Sequence, residues 1–189
     1  MFSSSIPSAI GQLVNLQQLA LGGNQLTGRI PDSFGALSKL CILQLSANHL
    51  SGSVPSSLKH LTQLTILLLS DNTFSQQFPN MFGYSSQLIM FDIALNLFTG
   101  SIPESFGNCS SLMFLYAQIN ELSQQMPDSL SNMKSITELK IYYNVLTGSI
   151  PPSFGQLTSM LNLELSDNLI TSTTLSGEIV MCHVLLSRQ

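Results

Sequence analysis

Apolar residues recur along this chain at constant distances from a set of regularly spaced asparagines. Eight, five and three residues before each asparagine stands an apolar residue, as Leu16, Leu19 and Leu21 do before Asn24. The second and third of these residues alternate with variable positions, which predicts a short β-strand with one buried face. The asparagines follow one another every 24 residues: Asn24, Asn48, Asn72, Asn96, Asn120, Asn144 and Asn168.

Further columns of the repeat keep the same period. An apolar residue stands two positions after each asparagine, and another stands ten positions after it in six of the seven units. Prolines also recur every 24 residues, from Pro7 to Pro151. A period between 20 and 50 residues is typical of a solenoid, in which each unit buries the apolar face of the next. We therefore predict an α/β solenoid with a parallel sheet on its concave face and short helical or 3₁₀ segments outside.

The asparagines and glycines of the repeat have backbone explanations. Each asparagine follows a predicted strand, where stacked amides would form a ladder of bonds to main-chain groups, so all seven are assigned structural roles. A glycine four residues later suggests a positive φ. Gln76 and Gln124 stand in that glycine column, so we expect their two turns to be shaped differently. A second glycine column, which includes Gly35, lies in the predicted outer segments.

The full repeat, LxxLxLxxNxLxGxIPxxxGxLxxL, resembles the plant-type leucine-rich repeat. That repeat occurs in the ectodomains of plant receptor-like kinases and receptor-like proteins, and in polygalacturonase-inhibiting proteins. The resemblance covers Phe2 to about Thr171. It implies a right-handed superhelix, an extracellular or cell-surface location, a role in signalling or defence, and binding of peptides, steroids or proteins. The family's cysteine-paired caps have no counterpart in this sequence, so we expect a fragment of a longer protein.

The pattern divides the chain into two parts. Residues 1–171 are predicted to form the repeat array, as a partial first unit and seven asparagine-centred units. After Asn168 the pattern slips by five residues, and residues 172–189 are expected to form an aberrant, poorly ordered tail. No signal peptide and no apolar run long enough for a membrane span stand out in the sequence.

Composition argues against several classes of function. Charged residues make up 8% of the chain, and its six Lys and Arg residues form no patch, so no nucleic-acid partner is expected. No phosphate loop or nucleophile motif is present, and no two carboxylates are expected to meet as an acid–base couple. We therefore predict no catalysis, no metal and no cofactor in this chain; a kinase domain would belong to a longer parent protein.

The three cysteines are far apart and odd in number, which favours free thiols over a disulfide framework. Cys109 replaces a leucine of the repeat and is predicted to fill the core, whereas Cys41 is expected to point outward. Asn108-Cys109-Ser110 is the only N-x-S/T sequon, so Asn108 is a candidate glycosylation site on the outer segment.

The variable residues beside the buried leucines would project from the concave face. In the fourth to sixth units they become aromatic and apolar, and such a patch with a polar edge is typical of an interaction site. Tyrosine is also a frequent binding anchor. We predict that the ligand-binding residues are Met90, Asp92, Leu95, Phe114, Tyr116, Ile119, Lys140, Tyr142 and Tyr143. The alternative is that these residues pack against one another, or are covered by a neighbouring region, and bind nothing.

The predicted function is a non-catalytic recognition module of a plant receptor-like ectodomain that binds a peptide or protein ligand, with a co-receptor as a further partner. Three alternatives stay open. One is a secreted inhibitor of a cell-wall-degrading enzyme, and another is a truncated remnant without independent function. The third is an intracellular adaptor, which a glycan on Asn108 would exclude.

Overall fold

A computed structural model describes residues 2–82, 87–172 and 183–185, and in this part the chain alternates between two parallel sheets. One of them, the concave sheet, consists of the three-residue strands β2 (Gln18–Ala20), β4 (Ile42–Gln44), β6 (Ile66–Leu68), β8 (Met90–Asp92), β10 (Phe114–Tyr116), β12 (Glu138–Lys140), β14 (Asn162–Glu164) and β16 (His183–Leu185). The second sheet consists of β1 (Ser3–Ser5), β3 (Gln25–Gly28), β5 (His49–Gly52), β7 (Thr73–Gln77), β9 (Leu97–Gly100), β11 (Glu121–Gln124), β13 (Val145–Ser149) and β15 (Leu169–Ser172).

Short 3₁₀ helices connect the second sheet back to the concave sheet. They begin after the recurring prolines, whose carbonyls accept the first helical hydrogen bond, as Pro31 O does from Phe34 N at 3.0 Å. Proline suits this place because its φ is fixed near the helical value. This architecture confirms the predicted leucine-rich-repeat solenoid. The described helices are η1 (Ser8–Gln12), η2 (Asp32–Ala36), η3 (Ser56–His60), η4 (Glu104–Asn108), η5 (Asp128–Asn132) and η6 (Pro152–Gln156).

The core follows the apolar columns of the sequence. Leu43 and Leu139, at the middle positions of β4 and β12, are fully buried. Phe34 and Leu130, ten residues after their asparagines, are buried residues of the outer helices η2 and η5. Cys109 is also buried, as predicted for a residue that replaces a repeat leucine.

The buried asparagines tie neighbouring units together, and Asn96 shows how. Its Oδ1 accepts a hydrogen bond from Phe74 N at 3.0 Å in the preceding unit. Its Nδ2 donates to Leu69 O of that preceding unit at 3.1 Å and to Ile93 O of its own unit at 3.2 Å. The same contacts recur at Asn48, Asn72, Asn120, Asn144 and Asn168. This is the ladder that the sequence predicts.

The second sheet was not predicted. From β3 to β13 its strands begin one residue after an asparagine, and each contains one buried position, such as Leu50 in β5. A single apolar position cannot show the alternation on which a strand prediction depends. The hydrogen bonds of this sheet therefore appear only when the units are stacked.

The prediction that the turns at Gln76 and Gln124 differ in shape from those with glycine is wrong. Gly28 and Gly52 have φ values of +78° and +79°, and Gln76 and Gln124 follow the same left-handed path with φ of +71° and +68°. Stacking of the second-sheet strands fixes the backbone at this position, whichever side chain it carries. The two glutamines therefore occupy a conformation that is strained for an L-residue.

The second glycine column marks a close approach between outer helices. A methyl group on Gly35 in η2 would lie 2.8 Å from both the carbonyl oxygen and Cβ of Ser57 in η3. Distances this short do not occur between real atoms of these types, so successive helices can stack closely only because the position is glycine.

The tail is described only in part. Ser172 ends β15, and His183–Leu185 pair in parallel with Asn162–Glu164 of β14. The other residues of the predicted tail lie outside the described residues, so their expected poor order stays a prediction. Within the described ranges, no helix is long and apolar enough to cross a membrane.

Candidate ligand-binding face

Three neighbouring strands bring five of the predicted binding residues together. In β10, Phe114 lies opposite Met90 of β8, and Tyr116 lies opposite both Asp92 of β8 and Lys140 of β12. The residue between the two aromatic side chains, Leu115, is fully buried. Because successive side chains of a strand point to opposite faces, the five residues share the side of the sheet away from the core.

The other four predicted residues lie in the turns that follow these strands. Leu95, Ile119 and Tyr143 each precede a ladder asparagine and are exposed by 46%, 40% and 57%. The half-buried ring of Tyr142 meets that of Tyr143 edge to face, with 5.8 Å between centroids. The amides of Leu95 and Ile119 donate to the carbonyls of the next unit at 3.0 Å, so the three turns stack in register.

These turn residues are large side chains in an unfavourable backbone conformation. Leu95, Ile119 and Tyr143 have φ of +54°, +57° and +50°. The left-handed conformation costs about 1–2 kcal/mol for an ordinary L-residue, and a β-branched residue there is a clear outlier. The first unit has Gly23 at the equivalent position. The other units also have positive φ at this position, as Ala47 and Asp71 do at +55°. The strain therefore belongs to the repeat, and the large side chains are what distinguish these three units.

A polar network adjoins the aromatic residues on β12 and β14. The ammonium of Lys140 lies 3.5 Å from Glu138 Oε2 and 3.4 Å from Glu164 Oε1. The Tyr116 hydroxyl donates to Glu138 Oε2 at 2.9 Å, and Asn162 Nδ2 donates to Glu164 Oε1 at 2.7 Å. Lys140 also lies 5.5 Å from the centroid of the Tyr116 ring, within the range of a cation–π contact.

Glu138 and Glu164 are the two carboxylates of this network. They lie 26 residues apart, which is one repeat plus two positions, so they stand diagonally across adjacent strands and share Lys140. Asp92 does not join them. Its Oδ1 accepts a hydrogen bond from Ala94 N at 3.0 Å, and its carboxylate also bonds the Ser70 hydroxyl.

Burial and neighbouring charges shift the acid–base properties of this face. Desolvation raises the pKa of Tyr116 to about 12, with further contributions from the hydrogen bond to Glu138 and from nearby carboxylates. Desolvation also raises the pKa of Asp92, although the hydrogen bonds from Ser70 and Ala94 act against it. For Lys140, desolvation lowers the pKa, but Glu164 and Glu138 together raise it by more, so the ammonium is the favoured form.

The predicted set of ligand-binding residues leaves out several residues of this face. Glu138, Glu164 and Asn162 belong to the network, and their placement in the same columns as Tyr116 and Phe114 was the available signal. Ile89 and Met113, exposed by 40% and 38%, stand one position before β8 and β10, and Met113 N donates to Ile89 O at 2.9 Å. The position seven residues before the asparagine becomes apolar in these two units, and this change was the available signal for Ile89 and Met113.

The candidate glycosylation site lies at the end of η4. The Asn108 side chain is half-buried, and its Nδ2 donates to Phe82 O of the preceding unit at 3.0 Å. Modification of Asn108 stays a prediction. Elsewhere among the described residues, no three His, Cys, Asp or Glu side chains gather where they could hold one metal ion.

Comparisons with known proteins agree with this architecture. Family models of the leucine-rich repeat match residues 14–74 and 135–157. The search of curated proteins found no match. Among solved structures, a plant peptide hormone receptor, RGFR1 in complex with RGF2, superposes with a TM-score of 0.87 at 30% identity, over 89% of this chain and 27% of the receptor chain.

Two further plant receptors match similarly. One is the ectodomain of the Arabidopsis thaliana receptor kinase GASSHO1/SCHENGEN3 in complex with CASPARIAN STRIP INTEGRITY FACTOR 2, with a TM-score of 0.87, 34% identity, and coverage of 89% and 20% of the two chains. The other is the Arabidopsis receptor kinase HAESA in complex with the peptide hormone IDA and the co-receptor SERK1, with a TM-score of 0.81, 30% identity, and coverage of 89% and 28%.

The repeat-model matches and these superpositions identify the chain as a plant-type leucine-rich-repeat protein. The chain spans between a fifth and three tenths of the receptor chains that it matches.

Proposed function

We propose that the chain is a non-catalytic recognition module that binds a peptide or protein ligand on the concave face formed by β8, β10 and β12. The observation that carries the proposal is the gathering of exposed and half-buried aromatic and apolar side chains from three adjacent units on one face. Tyr116, Tyr142 and Tyr143 would act as anchors, since aromatic residues dominate the binding energy of many interfaces.

Rigid presentation is the proposed mechanism. The strands beneath the face are held by the asparagine ladder and by fully buried residues such as Phe91 and Leu115. A surface whose side chains are ordered before contact loses less conformational entropy when a ligand binds. The hydrogen bonds that the amides of Leu95 and Ile119 donate to the next unit support this role, because they fix the backbone that carries two apolar side chains at the edge of the same face.

The wider setting of the module is also a proposal. The matched structures are ectodomains of plant membrane receptors in complex with peptide ligands, and one includes a co-receptor. By this likeness, we propose an extracellular or cell-surface location, residues 1–171 as the binding array, and a co-receptor as a further partner.

A random peptide library displayed on phage, panned on the immobilised chain, tests the proposal. Peptides enriched on the unmodified chain should lose binding to a variant with Tyr116→Ala and Tyr142→Ala. The matched control carries Gln18→Ala and Gln44→Ala, which shorten two side chains on β2 and β4 of the same sheet, and it should retain binding.

Circular dichroism of all three proteins verifies that the variants fold. If no peptide is enriched, or if the enriched peptides bind the tyrosine variant as well as the unmodified chain, the concave face is not the binding site. An equal loss of peptide binding in the tyrosine variant and in the glutamine control would also contradict the assignment to β8, β10 and β12.

A further inference from the structure

We infer that the ligand of this face presents a cationic side chain, best an arginine, to the carboxylates of Glu138 and Glu164 beside Tyr116. This inference rests on the proposed binding function and names the class of ligand: a basic peptide segment. It is carried by the charge of the face, by the unused hydrogen-bonding capacity of the two carboxylates, and by the adjacent aromatic ring.

The charge of the concave sheet is negative. From β2 to β14, its strands contain the three carboxylates of Asp92, Glu138 and Glu164 but only one cation, Lys140. The other described lysines and arginine lie outside these strands, as Lys39 and Lys134 do next to the outer helices. A face of one charge sign selects and steers partners of the opposite sign.

The contacts among the described residues use one oxygen of each glutamate. Tyr116 and Lys140 both contact Glu138 Oε2, whereas Asn162 and Lys140 both contact Glu164 Oε1. Within the described part of the chain, Glu138 Oε1 and Glu164 Oε2 have no hydrogen-bond or ion-pair partner. An ionised carboxylate accepts at about four lone-pair positions, so both groups keep acceptor capacity for an incoming donor.

These glutamates are accessible without being fully hydrated. The side chains of Glu138 and Glu164 are 33% and 19% exposed. Charge-assisted hydrogen bonds in partly desolvated surroundings are stronger than those at an open surface. A ligand donor that reaches the two free oxygens would therefore gain more than at an isolated surface glutamate.

Tyr116 completes a site suited to a flat cation. Its ring already receives the Lys140 ammonium at 5.5 Å, which shows that the ring is positioned for cation–π contact. A guanidinium stacks on aromatic rings and offers several donors in a planar fork, whereas an ammonium offers a single charged centre. Arginine is therefore expected to bind better than lysine.

Lys140 argues against an anionic ligand. Its ammonium is already held between two carboxylates, so an incoming anion would meet their negative charge as well as the lysine. A cationic ligand would instead compete with Lys140 for the same glutamates. Removing the lysine charge should therefore strengthen binding of a cation and weaken binding of an anion.

The test uses two fluorescein-labelled, amide-capped hexapeptides, one of arginine and one of glutamate, with fluorescence anisotropy at an ionic strength of about 0.1 M. The unmodified chain should bind hexaarginine and not hexaglutamate. A variant with Glu138→Gln and Glu164→Gln should bind hexaarginine on the order of tenfold more weakly, which corresponds to about 1.4 kcal/mol. Lys140→Met should bind it more tightly than the unmodified chain does.

The control variant carries Asp32→Asn and Glu104→Gln, which change the net charge equally but lie on η2 and η4. It should bind hexaarginine within about twofold of the unmodified chain, because charges far from the site are screened over roughly 10 Å. Glutamine is isosteric with glutamate and still accepts the Tyr116 hydrogen bond, so the site variant should keep its fold, as circular dichroism would verify.

Three outcomes would overturn the inference. These are no hexaarginine binding, equal weakening in the site and control variants, and hexaglutamate binding that disappears in Lys140→Met. None of them removes the proposed binding function, which the tyrosine-dependent peptides from phage panning test separately. Conversely, the proposed function would stand and the cationic ligand class would fall if those peptides lacked arginine and lysine.

Discussion

The hydroxyl of Tyr116 donates a 2.9 Å hydrogen bond to Oε2 of Glu138 on the neighbouring strand. This contact joins the aromatic half of the concave face to its charged half. It also orients the Tyr116 ring under the ammonium of Lys140, which contacts the same carboxylate oxygen. The two residues are 22 positions apart, so only the stacking of units brings them together.

The raised pKa of Tyr116 should appear directly in a phenol titration. The absorbance of ionised tyrosine, measured after rapid jumps to alkaline pH, should show one tyrosine that ionises near pH 12. Tyr116→Phe should remove this step and Tyr143→Phe should leave it. Glu138→Gln should lower the pKa of Tyr116 without restoring the ordinary value of about 10, because desolvation is the largest cause of the shift.

The same shift implies a pH dependence of stability. The folded-state pKa of Tyr116, about 12, lies above the unfolded value of about 10, so its neutral form is favoured by folding. The contribution of this pKa shift to the free energy of unfolding is fully present below pH 10 and is lost as the pH rises from 10 to 12. Urea melts across this range should show a smaller loss of stability for Tyr116→Phe, and an equal loss in both proteins would contradict the assignment.

Replacing Ile119 with asparagine should separate stability from binding. Asparagine tolerates the left-handed backbone far better than a β-branched residue, so Ile119→Asn should raise the free energy of unfolding by about 1 kcal/mol. The same change removes an exposed apolar side chain and should weaken the binding of peptides selected on the concave face. Urea denaturation and peptide binding measure the two effects, and a destabilised variant would show that Ile119 is not strained.

Gln124→Gly should also stabilise the protein. The φ of Gln124 is +68°, which glycine adopts freely, although glycine's larger unfolded-state entropy offsets part of the gain. We expect a net gain between a few tenths and about 1 kcal/mol in urea denaturation. The matched reverse change is Gly28→Ala, where a methyl group would lie 3.4 Å from Ser5 Cβ and meets no clash. Gly28→Ala should destabilise the protein because of its positive φ alone. If both substitutions changed the free energy of unfolding in the same direction, a common backbone cause would be contradicted.

Asn96→Ala should destabilise the array by about 1–3 kcal/mol, because it leaves buried main-chain groups without partners. Asn24→Ala provides the comparison. There the amide that bonds Oδ1 belongs to exposed Phe2 and can turn to water, so the loss should be smaller. Thermal and urea melts of both variants give the measurement, and equal losses would argue against burial as the cause.

Gly35→Ala should cost about 1–3 kcal/mol, as an overpacked site does, because the added methyl group collides with Ser57 in the next helix. Ala36→Ser adds one atom to the neighbouring, exposed residue of η2 and should change stability by less than about 0.5 kcal/mol. Similar values for the two substitutions would mean that the outer helices have room to move apart.

Much of the fold could be predicted because the same residue pattern recurs in seven units. The column of Leu43 and Leu139 specifies buried strand centres, and the asparagine column specifies the ladder. The residues of the candidate face followed from the same columns, since the 24-residue period places Met90, Phe114 and Glu138 side by side. These inferences need only the period and the alternation of a strand.

The sequence alone therefore determined the solenoid, its core and the side of the sheet on which the tyrosines lie. Only the tertiary structure decided that Gln124 follows the glycine path and that Ile119 is held with positive φ. It also decided that Glu138 and Glu164 share Lys140, while each has one oxygen without a partner among the described residues. The physical reason is that periodicity specifies which positions face the core, whereas backbone torsions and side-chain contacts depend on neighbours in adjacent units. Those neighbours lie about one repeat away in the sequence and act together only after stacking.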